Sequence, residues 1–82
     1  MSWYVYMVRC RDNSLYTGYT DDPERRLAVH NAGKGAKYTK SRLPVTLVYR
    51  EECPDKSTAL KREYAIKHLT KAGKENLIKN ET

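Results

Sequence analysis

Residues 3–20 read WYVYMVRCRDNSLYTGYT, and this stretch decides the fold. Its first part, residues 3–9, is apolar on both alternating faces, which is typical of a strand that lies inside a sheet and is covered on both sides. Residues 12–14 (DNS) are turn formers, and the strand pattern resumes over residues 15–20. The sequence therefore predicts a β-hairpin whose first strand is central.

The segments after the hairpin predict a helix, a loop and one more strand. Asp22 and Pro23 mark the start of the helix, because an acidic cap and a proline at the first helical position suit its unpaired amides and its dipole. The helix is expected to run to about Asn31. Residues 33–43 are rich in glycine and basic side chains, and they predict a loop or a short irregular helix. The third strand is predicted over residues 45–49.

The C-terminal third of the chain predicts two helices. The first covers about residues 58–71, after a cap at Asp55 or Ser57, and Gly73 ends it. The second is short and covers residues 74–79. The element order is then β-β-α-(α or loop)-β-α-α. Helices packed against a small, mainly antiparallel sheet make this an α+β fold.

The size of the chain bounds what it can hold. Its 82 residues predict one domain over residues 1–82, because a chain this short buries only about 60–65% of its unfolded surface. The sequence shows no linker or repeat, and the length leaves no room for a separate DNA-binding domain. No apolar run approaches the roughly 20 residues that span a bilayer, and the N-terminus lacks the pattern of a secretion signal. A cytoplasmic protein with no membrane partner is therefore expected.

Positive charge is concentrated in the first part of the chain. The net charge is +6, and residues 1–50 carry nine Lys and Arg against four Asp and Glu. No acidic residue occurs between Arg25 and Arg42, which indicates a surface for a polyanion such as nucleic acid. The candidate contacts are Arg25, Lys34, Lys37, Lys40 and Arg42. The alternative is a solvated basic face that only keeps the protein soluble.

The two cysteines, Cys10 and Cys53, carry little information about function. They are too few for a disulfide scaffold and form no CxxC pair. Free thiols in a reducing compartment are the simplest interpretation. A structural zinc site that combines them with the histidines is the disfavoured alternative.

Glu63 is the strongest candidate for a metal-binding carboxylate. On a helical wheel it falls between Ala59 and Ile66, near the centre of an apolar arc. The predicted arc comprises Ala59, Leu60, Tyr64, Ile66 and Leu69. A carboxylate on an inward face is costly unless a cation or a metal ion compensates it. A buried ion pair with an arginine is the alternative.

Four other polar side chains fit phosphodiester chemistry. Arg26 and His30 are four residues apart on the first helix and project from one face. An arginine can hold a pentacovalent phosphate through forked hydrogen bonds, and a histidine can accept a proton near neutral pH. Tyr6 and Tyr16 are expected to face each other across the hairpin and to orient water or phosphate. The alternatives are a surface Asp22–Arg26 pair, a partly exposed histidine and tyrosines that only pack the sheet.

With these residues the chain resembles the GIY-YIG nuclease domain over nearly its whole length. The first signature of that family matches residues 4–6 (YVY), and the second matches residues 16–18 (YTG). The arginine, histidine and glutamate of the family match Arg26, His30 and Glu63. Residues 35–39 (GAKYT) resemble short stand-alone bacterial members, an uncharacterised YhbQ-like group. The chain departs from the family pattern at Tyr4, where the signature has glycine, and at Thr17, where it has isoleucine.

The resemblance implies a three-stranded antiparallel sheet between helices and metal-dependent hydrolysis of phosphodiesters. It implies that Tyr6 or Tyr16 orients or deprotonates the water, that Arg26 stabilises the transition state, and that Glu63 holds one Mg²⁺ or Mn²⁺ together with the substrate phosphate. An asparagine of the family corresponds in spacing to Asn76, although this residue falls in a predicted terminal helix.

Two functions follow as expectations. The first is a DNA endonuclease with weak sequence specificity, acting on duplex, branched or single-stranded DNA, with RNA also open as a substrate. A protein partner is then expected to supply the specificity. The second is a catalytically inactive nucleic-acid-binding module on the same fold, which works through a partner protein.

Overall fold

The computed structural model describes residues 2–80 and contains one three-stranded antiparallel sheet. The strands are β1 (Trp3–Arg9), β2 (Leu15–Thr20) and β3 (Thr46–Cys53), in the order β2-β1-β3. The helices are α1 (Pro23–Asn31), α2 (Lys37–Lys40), α3 (Lys56–Lys67) and α4 (Lys71–Asn80). The α+β class and the central position of the first strand are confirmed.

The pairing of β1 with β2 corrects the expected position of the two tyrosines. Tyr6 lies opposite Gly18, and Tyr16 lies opposite Val8. Tyr6 and Tyr16 therefore do not face each other directly but are diagonal neighbours on the same face of the sheet. The shift comes from the five-residue connection between the strands, in which Asn13 adopts a positive φ of 72°.

The alternation of β1 divides the core into two clusters, one on each face of the sheet. Val5 and Met7 pack with Tyr49, Cys53, Ala59 and Ile66, so this face is covered by α3. Tyr6 and Val8 pack with Cys10 and Val45, and Leu27 of α1 covers this second cluster. Burial on both faces explains why β1 carries almost no polar residue.

The start of α1 forms as its sequence predicts. The Asp22 carboxylate accepts a hydrogen bond from the Arg25 amide at 3.1 Å, and Pro23 occupies the first turn. The helix stops before Gly33, which has a positive φ of 76° that a glycine adopts without strain. These two ends fix the length of α1 and, with it, the positions of Arg26 and His30.

The two C-terminal helices divide at a different place from the predicted one. α3 ends at Lys67 and α4 begins at Lys71, so Gly73 lies inside α4. The division falls at Thr70, whose hydroxyl accepts a hydrogen bond from the Gly73 amide at 3.1 Å and so caps α4. The prediction that α3 runs to residue 71 was therefore wrong.

The apolar arc predicted on α3 is narrower in the structure. Ala59 and Ile66 are buried, but Leu60 and Leu69 are exposed and Tyr64 is 65% exposed. The expectation that Tyr64 packs in the core was wrong, because Ala59 and Ile66 form the part of α3 that packs on the sheet and Tyr64 projects beside them into solvent. Glu63 lies half-buried between Ala59 and Ile66, as the wheel predicted.

Candidate active site

One cleft of about 370 Å³ collects four of the five predicted catalytic residues. Its lining includes Tyr6 of β1, Tyr16 of β2, Arg26 of α1 and Glu63 of α3. The cleft adjoins β2, which is an edge strand of the sheet. Residues that are up to 57 positions apart in the chain therefore share one concave surface.

His30, the fifth predicted residue, lies behind the cleft and is fully buried. Its Nε2 atom is 2.8 Å from the Tyr6 hydroxyl, and its Nδ1 atom is 2.8 Å from the Thr39 hydroxyl. Thr39 donates its only hydroxyl proton to the Ala36 carbonyl at 3.0 Å. Thr39 must then accept from His30 Nδ1, so the imidazole carries its proton on Nδ1. Nε2 is left as an acceptor, and Tyr6 donates to it.

The protonation of this chain of hydrogen bonds follows from burial. Burial lowers the pKa of His30 below its usual 6.5, and the nearby positive charge of Arg26 lowers it further. Burial also raises the pKa of Tyr6 above 10, although Arg26 acts against that rise. At neutral pH both groups are therefore uncharged, with a phenol that donates to an imidazole.

Two glycines make room for these hydrogen bonds. A Cβ atom at Gly18 would lie 2.6 Å from Tyr6 Oη and 2.7 Å from Cζ, so only glycine lets the phenol ring lie across β2. A Cβ atom at Gly35 would overlap Nδ1 of His30. Gly35 and Thr39 were not predicted as site residues. Their only signal in the sequence was the segment 35–39, which matched a family branch but gave no role.

Tyr16 lies beside these hydrogen bonds and takes no part in them. Its ring meets the His30 ring edge to face, with centroids 5.4 Å apart, and stacks on the Tyr38 ring at 6.1 Å. The Arg42 guanidinium lies 3.8 Å from the centroid of the Tyr38 ring. Burial raises the pKa of Tyr16, while Arg26 lowers it and Glu63 raises it. The Tyr16 hydroxyl is therefore a neutral hydrogen-bonding group at the side of the cleft.

Glu63 and Arg26 place opposite charges in the cleft. Among residues 2–80, neither the buried Glu63–arginine pair nor the Asp22–Arg26 pair that the sequence left open is present. Both charges act on the pKa values of Tyr6 and Tyr16. Neither charge is taken up by an ion pair within residues 2–80, and the guanidinium also hydrogen-bonds the Tyr6 side chain at the edge of the cleft.

The donor set of the cleft fits a hard divalent cation that keeps most of its waters. No group of three or more His, Cys, Asp or Glu side chains gathers anywhere in residues 2–80. Mg²⁺ is commonly held by one or two carboxylates plus substrate phosphates and water, and Glu63 can supply one carboxylate. Asp21 also lines the cleft, but Arg25 binds its carboxylate at 2.8 Å.

The residues that a zinc site would need lie apart. Cys10 belongs to the cluster under α1, whereas Cys53 belongs to the cluster under α3. Both ring nitrogens of His30 are engaged by Tyr6 and Thr39. The two thiols are free and buried on opposite faces of the sheet.

The predicted nucleic-acid contacts divide into two groups. Arg25 is bound to Asp21, and Arg42 is bound to Asp12 at 3.1 Å and to the Tyr38 carbonyl at 2.8 Å. The three lysines of the segment, Lys34, Lys37 and Lys40, are exposed and form no ion pair with any carboxylate of residues 2–80. Asn76 is exposed on α4 and does not line the cleft.

The sequence and the fold match a known class of catalytic domain. The family model described as the GIY-YIG catalytic domain matches residues 2–76, and the chain belongs to this family of nucleases. Within it, the chain is 60% identical over 75 residues to a UPF0213 protein of Staphylococcus haemolyticus, with 92% of each chain covered. It is 54% identical over 79 residues to a UPF0213 protein of Natronomonas pharaonis, covering 96% of this chain and 93% of that one.

Two solution NMR structures share the fold. The UPF0213 protein of Bacillus halodurans is 48% identical, with a TM-score of 0.61 over 96% of this chain and 84% of that one. A protein of E. faecalis is 45% identical, with a TM-score of 0.65 over 98% of this chain and 85% of that one. Within residues 2–80, no helix combines the length and the apolar character needed to cross a bilayer.

Proposed function

We propose that this protein is a divalent-metal-dependent endonuclease that hydrolyses phosphodiester bonds in DNA with weak sequence specificity. The observation that carries the proposal is the single cleft that joins Tyr6, Tyr16, Arg26 and Glu63, with Tyr6 hydrogen-bonded to the buried His30. A neutral proton acceptor can activate a water, a guanidinium can stabilise the charge that develops on the phosphate, and a carboxylate can hold a divalent cation.

The charged groups of the cleft would bind the scissile phosphate. Arg26 would donate forked hydrogen bonds to the equatorial oxygens, where negative charge grows in the transition state. Glu63 would hold Mg²⁺ or Mn²⁺, and such an ion supplies a Lewis acid and lowers the pKa of a bound water. Tyr16, at the side of the cleft, would position the phosphate through its hydroxyl.

Tyr6 and His30 would remove the proton from the attacking water. The water proton passes to the Tyr6 oxygen while the Tyr6 proton passes to Nε2 of His30, 2.8 Å away. The water oxygen forms its bond to phosphorus as the bond to the leaving oxygen breaks, and the leaving oxygen departs as an alkoxide that takes a proton from solvent. Because the pKa of Tyr6 is raised, a free phenolate is disfavoured, and this relay avoids forming one. It assigns the role of base to Tyr6 rather than to Tyr16.

A panel of labelled substrates tests the activity. Duplex, branched and single-stranded DNA and RNA are incubated with Mg²⁺ or Mn²⁺, beside Arg26→Ala and Glu63→Gln proteins purified in the same way. We expect the wild type to cut DNA and both variants to lose at least about 10²-fold in rate. Equal rates for all three would reveal a contaminating nuclease and refute the proposal. Binding without cleavage of any substrate would favour the inactive nucleic-acid-binding module.

The rate of cleavage is expected to fall as the pH drops below about 6.5. The relay needs neutral His30, whose pKa is lowered by burial and by Arg26. The acid limb of kcat/KM against pH should therefore lie below the ordinary histidine value. It is measured with a fluorescent substrate between about pH 5 and pH 8.

The matched control for this limb is His30→Gln, which keeps a hydrogen-bonding side chain but does not titrate in this range. We expect this variant to cleave more slowly and its profile of kcat/KM against pH to lack the acid limb. An acid limb at the same pH as in the wild type would contradict the relay.

Unfolding of the wild type is followed in parallel, because the unfolded chain takes up the histidine proton at a higher pH than the folded one does. The free energy of unfolding should therefore decrease as the pH falls from about 6.5 to the lowered pKa of His30 in the folded protein.

Lys37 and Lys40 are expected to contribute to the affinity for DNA by contacting phosphates rather than bases. Changing both to Gln should reduce the slope of log affinity against log salt by about 1.8, because each phosphate that a lysine neutralises accounts for about 0.9 of that slope. Fluorescence anisotropy on the Glu63→Gln background measures it without cleavage. Lys61→Gln/Lys71→Gln, which removes the same charge elsewhere, is the control, and an equal drop in slope there would mean that only net charge matters.

A further inference from the structure

A second cleft of about 450 Å³ adjoins the first one. Residues of β2, α2, α3 and α4 line it, and Tyr16 lines both clefts. Its lining residues are Leu15, Tyr16, Thr17, Tyr38, Lys67 and Lys74. No acidic residue belongs to this lining. Anything bound beside Tyr16 in the first cleft can therefore continue into a cleft with two positive charges.

The Thr17 hydroxyl in this second cleft lacks a partner. Thr17 is only 4% exposed, and its Oγ1 atom is the buried side-chain polar atom without a hydrogen bond in residues 2–80. Leaving a buried hydroxyl unsatisfied is unfavourable, and native structures rarely do so without a reason. Because the Oγ1 atom is itself buried, a ligand in the cleft would reach it only if the wall around Thr17 shifts.

The two lysines of the second cleft also lack an ion-pair partner within residues 2–80. Neither Lys67 nor Lys74 forms an ion pair with a carboxylate of residues 2–80. Lys67 follows Glu63 by four residues on α3, which places their Cβ atoms about 5–6 Å apart on one face of the helix. The candidate metal-binding carboxylate and the first lysine of the second cleft are thus adjacent.

We propose that the second cleft binds the phosphodiester next to the scissile one. Lys67 and Lys74 neutralise this phosphate, and Tyr38, which is 39% exposed, contacts the attached nucleoside at the rim. This subsite rests on the proposed function, because the first cleft must hold the scissile phosphate. The ligand is therefore a nucleic-acid strand that extends at least one nucleotide beyond the cleaved bond.

Two short DNA fragments test the subsite on the Glu63→Gln background. The dinucleotide TpT has one phosphodiester, and the trinucleotide TpTpT has two. NMR titration is expected to show about tenfold tighter binding of TpTpT, with shift changes at Thr17 that TpT does not cause. With Lys67→Gln/Lys74→Gln added, the gain from the second phosphate should fall below about threefold.

The matched control is Lys61→Gln/Lys71→Gln, which also removes one lysine from α3 and one from α4 but lies outside both clefts. This control should retain the full gain in affinity that the second phosphate of TpTpT gives. An equal gain in the test and control variants, or no gain in the parent, overturns the subsite. Cleavage by the wild type is measured separately. A gain without any cleavage would refute the nuclease and keep the subsite, whereas cleavage without a gain would do the reverse.

Thr17→Val tests the wall of the second cleft separately from the two lysines. This change removes the unpartnered hydroxyl and keeps a β-branched side chain of similar shape, so we expect the Tm to rise by about 4 °C or more. The affinity for TpTpT should stay close to that of the parent, because Oγ1 is buried and the two lysines carry the binding. A large loss of TpTpT binding in this variant would contradict the assignment of the subsite to the two lysines.

Discussion

Glu63→Gln is expected to lower the rate of DNA cleavage at least about 10²-fold while the Tm stays within about 2 °C of the wild type. The change replaces a charged oxygen ligand by a neutral amide of the same shape, which a hard divalent cation binds poorly. The fold should not suffer, because Glu63 is half-buried and forms no ion pair within residues 2–80. This separation of activity from stability distinguishes a functional carboxylate from a structural one.

Single-turnover cleavage and thermal unfolding of the same preparations measure the two quantities. Glu52→Gln is the matched control, because Glu52 is exposed on β3 and lines neither cleft. It should cut at the rate of the wild type. Mn²⁺-induced broadening of NMR signals adds a direct test, since it should be centred on residues around Glu63 and weaken in Glu63→Gln. A lower rate that is accompanied by a much lower Tm would contradict the assignment.

Gly18→Ala is expected to cost about 2 kcal/mol of stability and most of the activity. The added methyl group would lie 2.6–2.7 Å from Oη and Cζ of Tyr6. The Tyr6 ring is only 2% exposed and its hydroxyl is bound to His30, so the ring cannot move aside without breaking that hydrogen bond. For a domain of this size the destabilisation corresponds to a Tm lower by about 8–16 °C.

The same substitution at Gly73, the glycine of α4, is a control for which the expected change in stability has the opposite sign. A Cβ atom at Gly73 would meet the Leu69 side chain at 3.4 Å, an ordinary contact, and alanine is favoured over glycine inside a helix by up to about 1 kcal/mol. Gly73→Ala should therefore raise the Tm and leave cleavage unchanged. If Gly18→Ala were as stable and as active as the wild type, Tyr6 could not be held in the described position.

The sheet was predictable because its signals are local. The apolar pattern of residues 3–9 identified the central strand, and Asp22 with Pro23 identified the start of α1. The division between α3 and α4 was not predictable in the same way. Gly73 is the stronger local breaker, but Leu77 and Ile78 pack on the core, and this packing together with the Thr70 cap outweighs the cost of a glycine inside a helix.

The candidate site was predictable as a set of residue types but not as a set of contacts. The spacing of Arg26 and His30 and the wheel position of Glu63 follow from helical periodicity alone. The hydrogen bond from Tyr6 to His30 depends on the strand register, which the connection between β1 and β2 sets. Thr39 and Gly35 matter only because His30 is buried against them, and no periodic pattern in the sequence marks a contact between a helix and the segment that follows it.

The hydrogen bond between His30 and Thr39 has a consequence for the connection between α1 and β3. Such connections usually tolerate insertions, because they run over the surface. Here the Thr39 hydroxyl must come within 2.8 Å of an imidazole at the end of α1, and Gly35 must pass beside the same ring. The number of residues from His30 to Thr39 is therefore a geometric requirement of the imidazole. One inserted residue would move the Thr39 hydroxyl away from Nδ1, so the tautomer of His30 would no longer be fixed. Tyr6 would then no longer be held as the donor of the hydrogen bond to Nε2.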